Sequence, residues 1–307
     1  MTCDFCYRHC SIEAERPGAC GRRRMVDGRI VDVGYGEVIA FAVDPVEKKP
    51  LYHFLPGSRT ASFAMAGCNL SCKFCQNWDI AQDRSLRGRT MGPEDIVAMA
   101  KEDRCPSVSY TYSEPLVWQD FMLAVAKPAR KSGLRNIMVS NGTFSAEALE
   151  RILPWIDAYN IDLKGDREFY RTICHGNMEP VTEGLRRIVE YGSHVEVTTM
   201  LIEGIHDEAM VRELGTVLAS CGVQVWHLSR FFPRYRMAGR EATSEAFLAK
   251  MLAIAKESGV PFIYPGNSAL PVETRCPSCG CLVRRHPGDA VRDGVCPSCG
   301  ATIYGLW

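Results

Sequence analysis

The chain is organised around the stretch Gly67-Cys68-Asn69-Leu70-Ser71-Cys72-Lys73-Phe74-Cys75-Gln76-Asn77. Its cysteines are spaced Cys-x-x-x-Cys-x-x-Cys, which can point three thiolates into one small volume, and the apolar run 61–66 before them predicts a strand end. Four-iron clusters normally take four cysteine ligands, so three ligands leave one iron open to bind another molecule. A structural zinc site needs four ligands, and no His or Cys follows Cys75 within the next twenty-nine residues. The stretch therefore predicts an iron–sulfur cluster that binds a ligand.

This triplet resembles the signature of radical S-adenosylmethionine (SAM) enzymes, in which an aromatic residue such as Phe74 usually precedes the last cysteine. The resemblance implies that Cys68, Cys72 and Cys75 hold a [4Fe–4S] cluster whose open iron chelates the amino and carboxylate groups of SAM. One electron from the cluster would then break a sulfur–carbon bond, which gives methionine and a 5′-deoxyadenosyl radical that abstracts hydrogen from a substrate. In such enzymes the cofactor carries the chemistry, and the protein positions it and excludes water.

Length, composition and charge narrow the class of protein. The 307 residues are 46% hydrophobic and 23% charged, which suits one barrel-sized core with small appendages. The 36 Lys and Arg residues equal the 36 Asp and Glu residues, so no overall basic field favours nucleic acid. No apolar run approaches the roughly 18 residues of a membrane span, and no basic and apolar leader opens the chain. We therefore expect a cytoplasmic protein that binds neither nucleic acid nor membrane.

Fifteen cysteines in a chain without a leader point to metal sites rather than disulfides. An N-terminal quartet suits a structural Zn²⁺ or a second iron–sulfur cluster, with zinc favoured: Cys3, Cys6, Cys10 and Cys20. A C-terminal quartet forms two Cys-Pro-x-Cys-Gly knuckles, which predict a tetrahedral four-sulfur ribbon for zinc or iron, with zinc favoured: Cys276, Cys279, Cys296 and Cys299. We expect this ribbon to act as a lid or docking module. The remaining cysteines are predicted to be small buried hydrophobes: Cys105, Cys174, Cys221 and Cys281.

A repeated strand and helix pattern begins at residue 60. The candidate strands are Ser62–Ala66, Ser107–Tyr112, Asn136–Ser140, Ala158–Asp162, His194–Leu201 and Val223–Leu228, followed by a last strand and turn at 261–268. Helix start signals lie between them at Pro93, Pro115, Pro180, Asp207, and Thr243 or Ser244. These repeats predict an α/β fold, a partial (β/α)6 radical SAM barrel at 59–270. It would follow a cysteine-rich extension at 1–58 and precede a zinc-ribbon-like module at 271–307.

Two features are predicted within the extension. Residues 24–44 are predicted to form a β-hairpin, because Asp27-Gly28 lies between short apolar runs and suits a type I′ turn. Residues 44–58 contain three prolines, so they are predicted to form an ordered loop without helix or central strand.

Polar residues follow the predicted strands, where a barrel places its active site. Ser113-Glu114-Pro115 stands where radical SAM enzymes have a Gly-Gly-Glu-type motif, so the resemblance implies that Glu114 accepts a hydrogen bond from the SAM ammonium group. Tyr112 and Ser113 replace the two glycines, which leaves the local backbone open. Ser140-Asn141-Gly142 matches the Thr-Asn-Gly of activating enzymes for glycyl-radical proteins. Val139 replaces the acidic residue that precedes this triplet there, which puts a cation site beside the cofactor in doubt.

Further cofactor residues are implied at the later strands. Asp162-Leu163-Lys164 resembles the Asp-x-Lys of those activating enzymes, in which both charged residues reach SAM. Thr199 lies in the fifth strand, and His227 occupies the sixth-strand histidine position, where it would face the adenosyl end. The alternative for His227 is a core histidine with satisfied hydrogen bonds.

The longer motifs resemble one subfamily. They are the N-terminal quartet, the fifteen-residue loop 44–58, Cys75-Gln76-Asn77-Trp78, Tyr110-Thr111-Tyr112-Ser113-Glu114-Pro115 and the terminal ribbon. Together they resemble the radical SAM enzyme of the AmmeMemoRadiSam system, which is related to pyruvate formate-lyase activating enzymes. The resemblance implies membership of a system with a Memo-like protein and an AMMECR-type protein. It leaves the substrate open, and one hypothesis is that the substrate is one of these proteins or a small molecule that they handle. It also implies a low-potential electron donor such as flavodoxin or ferredoxin.

Two alternatives stay open at this point. A glycyl-radical-enzyme activase is weakened because the chain lacks the ferredoxin-like cysteine insert that many activases carry after the triplet. A non-catalytic cysteine-rich metal scaffold has no use for Glu114 and Asp162 at strand ends.

Overall fold

The computed structural model describes residues 1–14, 16–83 and 85–307, and an N-terminal hairpin precedes its main sheet. Strands β1 (Arg23–Val26) and β2 (Arg29–Asp32) pair antiparallel. Both turn residues have positive φ, 46° at Asp27 and 73° at Gly28, as a type I′ turn requires. The predicted turn and hairpin are thereby confirmed, but the hairpin ends at Asp32 and not at residue 44. A buried Arg23 anchors it, since the guanidinium donates to both carboxylate oxygens of Asp120 at 2.6 and 2.7 Å.

Within these described residues the main sheet has nine strands. They are β3 (Glu37–Pro45), β4 (Arg59–Met65), β5 (Arg89–Thr90), β6 (Ser107–Tyr110), β7 (Arg135–Ser140), β8 (Ala158–Asp162), β9 (His194–Leu201), β10 (Val225–Arg230) and β11 (Phe262–Gly266). Their order is β11-β10-β9-β8-β7-β6-β4-β3-β5. All neighbouring strands from β4 through β6 to β11 pair parallel, and β3 and β5 extend that sheet antiparallel. The predicted α/β fold is confirmed.

Helices connect the parallel strands. They are α1 (Trp78–Gln82), α2 (Pro93–Glu102), α3 (Gln119–Lys131), α4 (Ala146–Ile152), α5 (Arg167–Phe169), α6 (Glu179–Tyr191), α7 (Glu208–Ser220) and α8 (Glu245–Ala255). The predicted cap at Asp207 is confirmed, since its side chain accepts from the Met210 amide at 2.8 Å. Ser244 rather than Thr243 caps α8, accepting from the Phe247 amide. Pro93 and Pro180 lie in first turns, and Pro115 begins a 3₁₀ turn that leads into α3.

The loop 44–58, here called the proline-broken loop, closes the N-terminal end of the parallel strands. It contains one 3₁₀ turn, Val46–Lys48, which the prediction of a loop without regular structure missed. Its buried side chains Val46, Leu51 and Phe54 pack against Ile137 in the first half of β7 and Ala158 at the start of β8. This apolar side of the loop therefore covers the strand starts, which are the ends opposite the cysteine triplet.

The C-terminal module packs at the same end as that loop. It contains β12 (Thr274–Arg275) and β13 (Leu282–Arg284), which pair antiparallel. Its buried Cys276, Cys296 and Ile303 form one cluster with Val225 and Phe262, the first residues of β10 and β11. The expectation of a lid is wrong, because the module lies at the starts of these strands and not over their C-terminal ends. None of the helices in the described parts of the chain is both long and apolar enough to cross a membrane.

Candidate active site and metal centres

A cavity of about 330 Å³ lies at the C-terminal ends of the parallel strands. It brings together the predicted triplet and most of the predicted cofactor residues: Cys68, Cys72, Cys75, Glu114, Ser140, Asn141, Asp162 and Lys164. Val139 also lines the cavity, and its apolar side chain offers no ligand for a cation at the position where glycyl-radical activating enzymes have an acidic residue. The barrel rule that active groups follow the strands therefore holds for these residues.

The loop that carries the triplet is fixed at both ends. It follows β4 at Gly67, whose φ is 107° and where an added Cβ would lie 2.7 Å from Arg22 Cγ, so the close approach requires glycine. The Gly67 carbonyl accepts from the Glu114 amide at 3.1 Å. Further along, the Ser71 and Lys73 amides donate to the carbonyls of Cys174 and Ile173 at 3.1 and 3.0 Å. These bonds hold the loop against the π-helical turn Tyr170–Cys174.

The three thiols have the surroundings that an anionic cluster needs. Cys68 Sγ accepts from the Leu70 amide at 3.4 Å and from Asn141 Nδ2 at 3.7 Å. Burial raises the pKa of Cys68 well above its usual range and that of Cys75 to about 11, while a hydrogen bond with Cys174 and burial raise the pKa of Cys72. Buried thiols lose their protons when a metal replaces them, and N–H donors then stabilise the thiolates. The donor set and its hydrogen bonds fit a three-cysteine iron–sulfur cluster.

Glu114 is a buried carboxylate at the edge of this cavity. Its Oε1 accepts from Ser140 Oγ at 2.7 Å and from the Leu116 amide at 3.1 Å, and its Oε2 accepts from the Asn141 amide at 2.8 Å. Burial nevertheless raises the pKa of Glu114 to about 7. A cation bound beside it would lower that pKa and hold the carboxylate ionised.

The backbone at Tyr112, two residues before Glu114, has a conformation that is typical of glycine. Tyr112 has φ of 65°, in the left-handed region that favours glycine. Its hydroxyl donates to the Asp44 carboxylate, and the Lys49 ammonium lies 4.4 Å from the centre of its ring. These contacts tie Tyr112 to the proline-broken loop and compensate for the strain of the backbone.

Asp162 and Lys164 form an ion pair on the wall of the cavity. Lys164 Nζ donates to Asp162 Oδ2 at 2.6 Å and lies 5.9 Å from the ring centre of Phe74. Although burial opposes it, the Asp162 carboxylate and the nearby Cys72 hold the pKa of Lys164 well above its usual range. Lys164 therefore keeps a positive charge beside the triplet.

Two predicted cofactor residues do not line this cavity. Thr199 Oγ1 donates to the Leu163 carbonyl at 2.7 Å and accepts from Trp226 Nε1 at 2.9 Å, so its hydroxyl is satisfied within the sheet. Its neighbour Thr198 lines the cavity instead, because successive residues of a strand face opposite sides. The pair Thr198-Thr199 gave no signal in the sequence to choose between them.

His227 lies in a buried polar network rather than beside the triplet. Its Nε2 donates to Glu196 Oε2 at 2.7 Å, and its ring packs edge-on against Tyr52. Although burial opposes it, hydrogen bonds from His194 and His227 hold the pKa of Glu196 well below its usual range, so the carboxylate is ionised. The arrangement matches the alternative of a core histidine, apart from His227 Nδ1, which has no partner among the described residues.

A second cavity of about 560 Å³ adjoins the first. The two cavities share the lining residues Lys48, Lys49, Tyr112, Thr198 and Ser229. His227 lines only the second cavity. None of these shared residues was predicted from the sequence to belong to the site. Tyr112 was noted only because it stands where the resembling motif has glycine. The signal for the lysines was their place in the fifteen-residue loop.

The N-terminal quartet is gathered by short turns. The Cys3 amide donates to the Cys10 carbonyl at 2.9 Å, and the Gly21 amide donates to the Gly18 carbonyl at 2.9 Å in the turn that returns Cys20. Burial raises the pKa of Cys3 to about 11, and the neighbouring Cys6 and Cys20 add to this effect.

The C-terminal quartet has the dimensions of a single-ion site. Its four sulfurs all lie within 4.8 Å of one another, with 3.7 Å between Cys276 and Cys299 and 3.7 Å between Cys279 and Cys296. A tetrahedral site with metal–sulfur bonds of about 2.3 Å has sulfur–sulfur edges of about 3.8 Å. Both knuckles place a glycine at nearly equal φ, 71° at Gly280 and 74° at Gly300. The four residues fit one tetrahedral metal ion.

The chain is similar in sequence and in fold to known proteins. The sequence model of the radical SAM superfamily matches residues 63–217. An uncharacterised protein of Methanocaldococcus jannaschii is 38% identical over 292 residues, which cover 92% of this chain and 86% of that protein. GTP 3′,8-cyclase of Aquifex aeolicus is 25% identical over 168 residues, 51% of each chain. The crystal structure of Streptococcus suis SuiB bound to S-adenosylmethionine is similar in fold, with a TM-score of 0.55 and 12% identity over 70% of this chain and 50% of SuiB.

Proposed function

This chain belongs to the radical SAM superfamily, and from that premise we propose that it cleaves SAM reductively at a [4Fe–4S] cluster held by Cys68, Cys72 and Cys75. The observation that supports this most is the meeting of these thiols with Glu114 and Asp162–Lys164 on one cavity. Membership of a superfamily of enzymes sets aside the alternative of a non-catalytic scaffold.

Different residues of the cavity would bind the cluster and SAM. When bound, the cluster supplies the electron that cleaves SAM into methionine and a 5′-deoxyadenosyl radical. Asn141 and the Leu70 amide stabilise the Cys68 thiolate through the hydrogen bonds to its sulfur. Glu114 accepts a charge-assisted hydrogen bond from the ammonium group of SAM, which adds to the three donors it already has.

The remaining walls position the rest of the cofactor and exclude water. Asp162 offers carboxylate acceptors and Lys164 offers ammonium donors for the polar groups of SAM. Leu70, Phe74 and Met200 line the cavity with apolar surface. Such surface keeps water from a reactive radical, which prevents side reactions.

For the substrate, we propose a Memo-like or AMMECR-type protein of the AmmeMemoRadiSam system, or a small molecule that these proteins handle. The second cavity supports this proposal, because its volume of about 560 Å³ lies in the range of small-molecule sites. It adjoins the cofactor cavity through Lys48, Lys49 and Tyr112, so a group bound there would lie next to the cofactor. The motifs that resemble the subfamily, above all the fifteen-residue loop, form part of both walls.

The experiment combines the anaerobically reconstituted chain with SAM, dithionite and the two partner proteins produced in deuterated medium. We expect 5′-deoxyadenosine in every reaction that contains the chain, and deuterium in its methyl group only when the true substrate is present. Absence of 5′-deoxyadenosine would contradict SAM cleavage. Cleavage without deuterium transfer from either partner, or from the small molecules bound to it, would contradict the substrate assignment.

A further inference from the structure

The two cysteine quartets differ in the separation of their sulfurs. In the C-terminal quartet the four sulfurs all lie within 4.8 Å of one another, and no other group of three or more possible metal ligands among the described residues is that close together. No three sulfurs of the N-terminal quartet meet that distance, and neither do the three of the cluster triplet. One tetrahedral ion draws its ligand sulfurs to about 3.8 Å. In a four-iron cluster each thiolate binds a different iron, so the sulfurs stand farther apart.

The N-terminal quartet nevertheless forms one group of thiols. Cys3 and Cys10 are adjacent through the hydrogen bond between their backbones. Phe5, next to Cys6, packs against Arg23, whose guanidinium carbon lies 3.8 Å from the centre of the Phe5 ring, and the Arg23 carbonyl accepts from the Gly18 amide at 2.9 Å in the turn before Cys20. The four residues therefore lie in one region, although their sulfurs are not drawn together as they are in the C-terminal quartet.

This group lies directly against the triplet loop. Arg8, which lies between Cys6 and Cys10, donates from Nε to the Asn69 carbonyl at 2.6 Å, and Asn69 Oδ1 accepts from Asn141 Nδ2 at 2.9 Å. The same Asn141 Nδ2 donates to Cys68 Sγ at 3.7 Å. A second approach runs through the backbone, since the Cys20 carbonyl lies 3.2 Å from the position that a Cβ on Gly67 would take. Two short routes therefore join the quartet to Cys68.

We propose that Cys3, Cys6, Cys10 and Cys20 hold a second iron–sulfur cluster, and not zinc, and that it relays electrons to the cluster of the triplet. The cysteine spacing in the sequence favoured zinc. We now favour a cluster, because spacing along the chain carries no information about the distance between the sulfurs. Four cysteines leave no open iron, so such a cluster transfers electrons and does not bind a substrate.

The relay moves one electron from the cluster of the quartet, here called the outer cluster, to the cluster of the triplet, here called the inner cluster. A low-potential one-electron donor of the flavodoxin or ferredoxin class is oxidised by one electron, and the outer cluster is reduced by one. The outer cluster then passes that electron to the inner cluster and returns to its oxidised state. No bond forms or breaks in this step. Cys6 is buried, whereas Cys10 and Cys20 are half-buried, so a donor has access to the quartet on the side of these two residues. The relay role rests on the proposed function, whereas the metal identity does not.

The test measures the metal content and spectra of the full chain after anaerobic reconstitution with iron and sulfide. The parent should contain about eight cluster irons, four for each cluster. A triple variant, Cys68→Ala with Cys72→Ala and Cys75→Ala, should keep about four irons and show a reduced [4Fe–4S] signal in electron paramagnetic resonance that SAM does not change. A double variant, Cys10→Ala with Cys20→Ala, should keep only the signal that SAM alters. It should also reduce its remaining cluster at least tenfold more slowly with flavodoxin than the parent does.

The outcomes separate the inference from the proposed function. A parent with about four cluster irons by Mössbauer spectroscopy, or a triple variant with zinc in place of the cluster, would overturn the second cluster even if the parent cleaves SAM. Equal rates of reduction by flavodoxin in the parent and the double variant would overturn the relay. Four irons in the triple variant of a chain that does not cleave SAM would support the second cluster and contradict the proposed function. The Mössbauer count on the parent does not depend on the folding of any variant.

Discussion

Glu114 shows how a single residue combines burial with charge. Three donors already meet its carboxylate, yet burial keeps its pKa at about 7. In the unfolded chain the same group titrates near its ordinary value of 4.5, so the folded state binds the extra proton between about pH 4.5 and 7. Glu114 therefore lowers the stability of the SAM-free protein as pH rises through this window. A bound cation reverses that cost, which makes the residue suited to a cationic ligand.

The residue-scale prediction is that Glu114→Gln weakens SAM binding roughly ten- to a hundredfold, because a hydrogen bond to a charged group contributes about 1.5–3 kcal/mol. In the parent, SAM affinity should rise with pH between about 6 and 8, as Glu114 ionises, and in the variant this dependence should be lost. Titration of the reconstituted protein with SAM measures both. The exposed Glu208→Gln serves as the matched control and should bind like the parent. Equal affinity in parent and Glu114→Gln would place the ammonium contact elsewhere.

At the scale of elements, the sequence predicted the strands best where apolar and polar residues alternate. β8 and β9 have the predicted bounds, and Asp207 caps α7 as expected. β3 was missed because its Val-Ile-Ala-Phe-Ala-Val run has no alternation of apolar and polar residues that marks a half-buried strand. Likewise, Thr198 and Thr199 could not be told apart, since which face of a strand points inward is set by its neighbours. The packing site of the ribbon depends on tertiary contacts that local pattern does not carry.

The ribbon supplies the element-scale prediction. Replacing the two exposed ligands, Cys279→Ser with Cys299→Ser, should remove one metal ion per chain and lower Tm by more than about 5 °C. The physical reason is that the metal supplies folding free energy to a module too small to bury its own core. SAM cleavage with dithionite should persist at 20 °C, because the ribbon lies at the strand ends opposite the cavity. Differential scanning calorimetry and metal analysis check the first result, and loss of SAM cleavage in a folded variant would contradict the placement.

At the scale of the whole molecule, Glu196 joins the loop, the sheet and the ribbon. Its carboxylate accepts from the amides of Tyr52 and His53 at 3.0 and 2.7 Å and from the rings of His194 and His227 at 3.0 and 2.7 Å. His53 in turn bonds to Tyr264 Oη at 2.7 Å and to the Tyr304 carbonyl near the end of the ribbon. Closure of the barrel base and docking of the ribbon therefore depend on one buried charge.

The molecule-scale prediction is that Glu196→Ala destabilises the protein by about 3–5 kcal/mol, since it leaves several buried donors unpaired. The folded pKa of Glu196 is depressed, so its contribution is complete above its unfolded value and is lost as pH falls below about 4.5. Denaturant unfolding at pH 7 and pH 4 measures both effects. Glu102→Ala on the exposed face of α2 is the control, with an expected change below about 0.5 kcal/mol. A Glu196→Ala variant as stable as this control would refute the network.

The central claim is that the triplet holds the cluster at which SAM is cleaved, and formation of 5′-deoxyadenosine by Cys72→Ala tests it most directly. The control is Cys221→Ala, which replaces a buried cysteine between α7 and β10 outside the cavity. After anaerobic reconstitution and reduction with dithionite, we predict that the control cleaves SAM at the parent rate and that Cys72→Ala forms no 5′-deoxyadenosine above the protein-free background. Cleavage at the parent rate in Cys72→Ala would contradict the assignment.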